Sequence, residues 1–487
     1  MNVRPRRELF RQRPQVNIYR LFLLIIAILA GVWFVRQMNS GVIISPFEPT
    51  PQPTRNAISF ALEGDAQFTA GNLDDAITAY GEATRLDPTD AQVWAKLARI
   101  QTYASALKTT DRERLALLTG ALDSINQAAA LAPDDSTVHA IRAFVLDWNA
   151  SAALVGEEQA QTYLSDAEQE ATRALLLDNQ NTLALAFYAE ILVDQQKWTQ
   201  GQQYIEQALQ RDDAASIMDI HRVYAYVLES LGLYNQAIQE YDKAIAITPN
   251  LTFLYLRAGA NYRRLAFGAL NEDSAIPLYD RSLEYFQKAA EINKTLGVKD
   301  PTPYLSIAKT YSQMPSADYF AAALNVQKAL AFDPANADTY GQLGIVFFKS
   351  RNYEGSIPAF KCAVRGCTEA ESCDARGGCD TGETGTQVTG LPLSVSSMVY
   401  YYTYGSVLAA LSRPKDNKCG EALAVFDEVW AFYQANEQVR LADTSIPSIV
   451  QTGQLICEGL GVVATSPVMS TPTTTVAPPT PTYTPGP

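Results

Sequence analysis

NLDDAITAYGEATRLDPTD at residues 72–90 and LYNQAIQEYDKAIAITPN at residues 233–250 are one pattern written twice. Aligned on Pro88 and Pro249, they superimpose Ala76 on Ala237, Tyr80 on Tyr241 and Ala83 on Ala244. The same spacing returns as Ala121, Ile125, Ala128, Pro133 and as Ala322, Val326, Ala329, Pro334. Steps of three and four put these residues on one face of a helix. The small ones let a neighbouring helix approach closely, and the large one fills the gap beside them. A face that recurs along the chain predicts stacked helical units, each burying its apolar side against the next.

This register resembles the tetratricopeptide-repeat (TPR) family, whose unit is about 34 residues of helix-turn-helix. The unit beginning at Ala337 carries it most fully, with Tyr340, Leu343, Gly344 and Phe347 on the first helix and Ser356, Phe360 and Ala363 on the second. The resemblance implies an all-α fold, a right-handed TPR superhelical solenoid of about nine helix-turn-helix units, and the apolar run before it predicts one preceding transmembrane helix. The units start near residues 57, 91, 135, 182, 218, 252, 301, 337 and 398. Several are irregular: the second, third and sixth carry insertions, and the fourth has Gly201 for Ala and Asp213 for Pro. In the eighth, Pro358 falls inside the second helix, where a kink is expected. The ninth is recognisable from Tyr401, Gly405, Ala422 and Phe426.

Residues 21–35, LFLLIIAILAGVWFV, are unbroken apolar, and Ile18 and Tyr19 extend the run past Arg20. Residues 18–35 span about 27 Å as a helix, close to the roughly 30 Å of a bilayer core, and the transmembrane anchor is placed over 18–36. A cleaved signal peptide is the rival reading, but VRQMNSGV downstream offers no small-x-small cleavage site, which favours a retained anchor. Six Arg precede the apolar run 21–35 and one follows it, so the basic segment 1–17 is expected in the cytoplasm and the repeats outside. The Pro-rich stretch 42–56 reads as a spacer, either stiff or unstructured.

All six cysteines, Cys362, Cys367, Cys373, Cys379, Cys419 and Cys457, lie beyond residue 361. The first four are spaced C-x4-C-x5-C-x5-C, which lacks the C-x2-C pairs of most structural zinc sites, so disulfides are expected outside the cytoplasm. The expected arrangement is two local bridges plus Cys419 to Cys457, although sequence alone does not determine connectivity. The organisation is then a solenoid over 57–370, a Cys/Gly-rich stapled insertion over 371–397, and a degenerate repeat with a capping helix over 398–464. In that capping helix, Ile449, Val450, Leu455, Ile456 and Leu460 are expected to form the buried face. A Thr/Pro-rich tail over 465–487 cannot build a core.

The net charge of −14 conceals an asymmetry: the first 36 residues carry seven Arg and Glu8, so the remainder carries −20. A body that acidic disfavours nucleic acid. His139 and His221 offer no metal cluster, and no phosphate-binding, nucleophile-elbow or metalloprotease motif occurs. No catalytic, cofactor or metal residue is therefore assigned, and no enzyme is expected. The resemblance implies a protein or peptide partner held on a concave face by first-helix residues, which in the fifth to eighth units are Arg222, Tyr226, Arg263, Arg264, Lys309 and Lys349. Such a basic lining suits an acidic or C-terminal peptide. The alternative is a surface fibre assembled by self-association, with VYYYTYG at 399–405 as a contact. Sequons occur at Asn149, Asn250 and Asn293.

Overall fold

The computed structural model describes residues 17–40, 55–379 and 384–462. Most of the basic N-terminus, the Pro-rich spacer, the Thr/Pro tail and residues 380–383 of the cysteine segment lie outside the described residues. The chain divides into two compact units, Met1–Asn56 and Ala57–Pro487.

In the first unit a single helix, Ile18–Asn39, starts where the Asn17 side chain accepts from the Tyr19 N–H. Its 22 residues span about 33 Å, and it is the one described helix long and apolar enough to cross a membrane. It runs three residues past the expected end at 36. Gln37 and Met38 are good helix formers, and Arg36 in the last turn complements the helix dipole.

The second unit is all-helical, and no β-strand forms among the described residues. Its helices pair as Ala57–Ala70 with Leu73–Leu86, Ala91–Ser105 with Asp111–Leu131, Ser136–Asn149 with Glu157–Leu177, Thr182–Asp194 with Trp198–Leu209, and Met218–Ser230 with Tyr234–Ile247. The series continues with Thr252–Phe267 and Glu272–Leu296, Thr302–Gln313 and Tyr319–Phe332, Ala337–Lys349 and Tyr353–Val364, and Met398–Leu411 and Cys419–Ala435. Helix starts follow local chemistry. Asp90 and Asp135 accept from the N–H groups of the first turn, two each, and Asn336 accepts from one. In the fourth unit, where Asp213 replaces the repeat's proline, a short 3-10 turn (Ala214–Ser216) makes the connection and Asp213 accepts from Thr182 Oγ1 at 2.6 Å. Insertions lengthen second helices to 21 residues (Asp111–Leu131 and Glu157–Leu177) and 25 residues (Glu272–Leu296). Helix Tyr353–Val364 continues through Pro358.

Within a unit the small-against-large rule is steric. A Cβ added to Gly64, Gly259, Gly344 or Gly405 would come within 2.7, 2.7, 2.6 and 2.9 Å of Tyr80, Phe286, Phe360 and Phe426. The aromatic of the second helix thus lies directly on the glycine of the first. Ala76, Tyr80, Ala83, Ala237, Tyr241 and Ala244 are all buried. One core cluster runs from Leu73 to Ala258 and another from Ala308 to Cys457, with smaller clusters bridging them through the sixth unit.

The repeats also touch across the superhelix. Repeats of an open solenoid contact only their neighbours, but here Asn250 Nδ2 donates to Ala70 O at 3.1 Å across 180 residues. Arg99 and Tyr103 of the second unit both bond Asp219 of the fifth, and Tyr103 stacks on Phe253 of the sixth with centroids 5.3 Å apart. The turn therefore closes on itself over the first six units, and side chains fill much of its centre.

The capping helix, Ile446–Glu458, buries Ile446, Val450, Gly453, Gln454 and Cys457. Leu455 and Ile456, expected on the buried face, are exposed, at 59% and 40%. Two constraints other than hydrophobicity orient the helix. Gly453 lies against the Phe426 ring, where a Cβ would overlap it, and Cys457 is bridged to Cys419.

Candidate functional site

The six cationic and tyrosine positions expected to line one groove fall into three environments. Arg222, on helix Met218–Ser230, is buried and forms a bidentate pair with Glu190 at 2.7 and 2.6 Å. Its guanidinium also lies 5.5 Å from the centroids of Tyr103 and Phe144. Tyr226, one turn further on, donates its hydroxyl to Asp194. Arg264 pairs with Glu229 and covers Tyr234, whereas Arg263 lies over Phe286 at 5.3 Å and donates to Ser306 O at 3.1 Å. Burial, then Arg264, pushes the Arg263 guanidinium down to about 10. Arg222 and Tyr226 line one cavity, and Lys309 and Lys349 share another.

That cavity, of about 510 Å³, lies between the first helices of the seventh, eighth and ninth units. Its apolar wall includes Ile345, Val346, Phe348, Val399 and Tyr402. Among the described residues neither lysine pairs with a carboxylate. Burial, then Arg263 and Arg264, lowers the Lys309 ammonium from its ordinary value. A cavity with an apolar wall and two uncompensated ammonium groups can hold an anion that carries an apolar side chain.

A second cavity, of about 620 Å³, occupies the centre of the closed turn. Asp147, Trp148, Glu190, Asp194, Arg222, Tyr226, Phe253 and Arg257 line it, from the first helices of the third to sixth units. Its carboxylates were missed by reading only basic positions. The signal was present in AIRAFVLDWN and LALAFYAEILVD, where an acid interrupts an otherwise apolar first helix. Burial, then Asp194 and Glu190, raises the Asp147 carboxyl well above the usual range, and burial pushes Asp194 up to about 6. Deep beside them, Asp219 ionises against burial because Arg99 and Arg222 hold its carboxyl below its ordinary value.

The cysteines join as Cys362 with Cys367, Cys373 with Cys379, and Cys419 with Cys457. The first two pairs staple the turn after the eighth unit, where Thr368 and Glu371 form a capping box on the short helix Glu369–Ala375. Asn149 and Asn293 of the sequons are buried, and Asn250 bonds the Ala70 carbonyl, so none presents a free amide for glycan transfer. Tyr400, Tyr401 and Tyr404 of the tyrosine-rich segment are buried, with hydroxyls donating to Asp338, Leu391 O and Glu421.

Family models match two stretches, one described as TPR repeat over residues 64–101 and one as tetratricopeptide repeat over residues 188–252. The chain carries TPR repeats. Among solved structures, it is similar to TTC0263, a thermophilic TPR protein of Thermus thermophilus, at 18% identity over 42% of this chain and 98% of that one, with a TM-score of 0.34. It is also similar to a tetratricopeptide repeat protein of Parabacteroides merdae, at 16% identity over 60% of this chain and 98% of that one, TM-score 0.33. A third likeness is to human IFIT1, as a dimer with PPP-AAAA, at 14% identity over 84% and 89%, TM-score 0.44. No curated protein matches the sequence. TPR repeats are an architecture for holding protein partners in general, and two chemically opposite cavities lie in this array.

Proposed function

We propose that the protein is a non-catalytic scaffold, tethered at the outer face of the cytoplasmic membrane, that captures envelope, secretion or surface-assembly partners by a carboxylate-bearing peptide segment. The observation that carries this reading is the cavity over Lys309 and Lys349. Its two ammonium groups lack a carboxylate among the described residues, and its wall is apolar. A free C-terminus with an apolar last residue satisfies both features at once: the carboxylate reaches the lysines and the side chain meets Ile345, Phe348 and Val399. Arg222, Tyr226 and Arg264 are excluded from this role because acids of neighbouring helices already occupy them. The tether is supported by the length and apolarity of Ile18–Asn39 and by the six Arg that precede its apolar run. Three disulfide pairs suit an oxidising compartment.

The test uses full-length protein in micelles and a fluorescent hexapeptide ending in Leu, with either a free carboxylate or a terminal amide. Saturable binding of the free acid, lost on amidation and in the Lys309→Glu/Lys349→Glu variant, is expected. Equal binding of acid and amide would remove the carboxylate reading. Crosslinked capture from intact cells, with wild type and this variant side by side, then identifies the partner, and equal recovery by both would place the contact elsewhere.

A further inference from the structure

We propose that the cavity at the centre of the closed turn is a second binding site, for an organic cation, in which the ammonium or guanidinium of a basic ligand lies on the carboxyl pair Asp147 and Asp194.

Charge is unbalanced there. Glu190 is fully engaged, taking two bonds from Arg222 and one from Trp148 Nε1 at 3.2 Å. Arg257, which faces the cavity from the sixth unit, pairs with Glu229 at 3.4 Å and lies over the Tyr226 ring. Asp194 accepts the Tyr226 hydroxyl, hydrogen-bonds to Asp147 and lines the cavity. Asp147 is only 6% exposed, and its Oδ1 has no hydrogen-bond partner. Burial, and then the neighbouring carboxylate charges, favours the protonated form of this pair, which is why both titrate high, and the two side chains hydrogen-bond through the proton they retain. A buried carboxyl with an unsatisfied oxygen is costly unless something completes it.

The surroundings favour positive charge and organic shape. Helices Ala91–Ser105, Ser136–Asn149 and Thr182–Asp194 all end at this cavity, which is lined by Ala106, Asp147, Trp148 and Asp194 at those ends. The negative ends of three helix dipoles therefore converge where a cation would sit. Trp148 and Phe253 supply aromatic faces. Among the described residues no three His, Cys, Asp or Glu converge to hold a metal ion. A volume of about 620 Å³ is also large for a bare ion and suits a chain that carries an ammonium. Binding displaces the shared proton, so affinity rises with pH through the range in which Asp194 titrates, near 6. Glu190, Arg222, Tyr226, Tyr241 and Arg257 are the other ionisable groups that line the cavity, and each already has a partner of its own.

Isothermal titration of full-length protein in micelles tests this with Ac-Ala-Lys-Ala-NH₂, its Arg and norleucine counterparts, and cadaverine. The expected result is saturable binding of at least one cationic probe at about pH 7.5, none of the norleucine peptide, and weaker binding at about pH 5 with net proton release. Buffers of different ionisation heats report that release on wild-type protein, independent of any variant. Asp194→Asn and Asp147→Asn should each abolish binding while a cooperative circular-dichroism melt is retained. Lys309→Glu/Lys349→Glu should leave it intact, which separates this site from the lysine cavity. Binding confined to the peptides assigns the cation to a polypeptide, and binding confined to cadaverine assigns it to a free amine. The proposal is overturned if no cationic probe gives saturable heat, if norleucine binds equally, or if wild-type binding releases no proton.

Discussion

Asp219→Asn is the sharpest test of the closed turn. The substitution keeps the shape of the side chain and removes only its charge, so no cavity forms. Asp219 is fully buried and bonded by Arg99 and by the Tyr103 hydroxyl, both from a helix more than 100 positions earlier in the chain. Removing one member of a buried ion pair costs about 3–5 kcal/mol, because the remaining charge stays desolvated. Arg99 keeps 19% of its side-chain exposure, so solvent offsets part of that cost and the expected loss is about 3 kcal/mol. If this energy holds the turn shut, opening becomes on the order of 100-fold more frequent. Hydrogen exchange by mass spectrometry on full-length protein should show faster exchange in both helix Ala91–Ser105 and helix Met218–Ser230, with helix Ala337–Lys349 unchanged as the control. The linkage has a defined sign. Burial opposes ionisation of Asp219, but Arg99 and Arg222 outweigh it and hold the carboxyl low. Its contribution is therefore present above the unfolded value of about 3.9 and is lost only as pH falls through the lower folded value. The Arg99→Met/Asp219→Leu double variant should recover most of the protection, since an apolar pair carries no desolvation cost. Exchange within about threefold of wild type, or a change confined to Met218–Ser230, would refute closure by this contact.

Tyr241→Ala should cost about 3–5 kcal/mol in chemical denaturation, and Tyr241→Phe about 1–2, since the ring is buried and its hydroxyl donates to Glu229 at 3.1 Å. Gly453→Ala should destabilise the C-terminal cap by about 1–3 kcal/mol, read as faster proteolysis after residue 446, because the added methyl overlaps the Phe426 ring. The Asp147 and Asp194 pair keeps its proton in the folded state at pH values where unfolded carboxyls have lost theirs, so melting temperature should fall as pH rises from about 4 through about 6. Asp194→Asn should flatten that fall, and an unchanged profile would count against the pairing.

The repeat was legible because its core is local. Ala76, Tyr80 and Ala83 meet partners within their own unit or the next, so helical spacing alone reports the buried face, and nine helix pairs begin within a residue or so of the starts expected from it. The apolar N-terminal helix was legible for the same reason, since length and composition define it. Where burial rests on something other than hydrophobicity, the pattern misleads. In the capping helix, Gly453 and Cys457 face inward while Leu455 and Ile456 face solvent, because a ring and a disulfide orient the helix.

What the chain alone determined, then, is the unit, its number and the helical register, all of which follow from side chains a few residues apart. Tertiary structure decided which charges are free. Arg222 and Arg264 read as groove cations until Glu190 and Glu229 of the preceding units are seen against them, which leaves Lys309 and Lys349 open and exposes an acid pair that a search of basic positions passes over. It also decided that the turn closes, bringing Asn250 to Ala70 and Asp219 to Tyr103. The physical reason is cumulative: superhelical curvature is the sum of small rotations between successive units, each set by packing and by inserted residues, and no single stretch of sequence contains that sum.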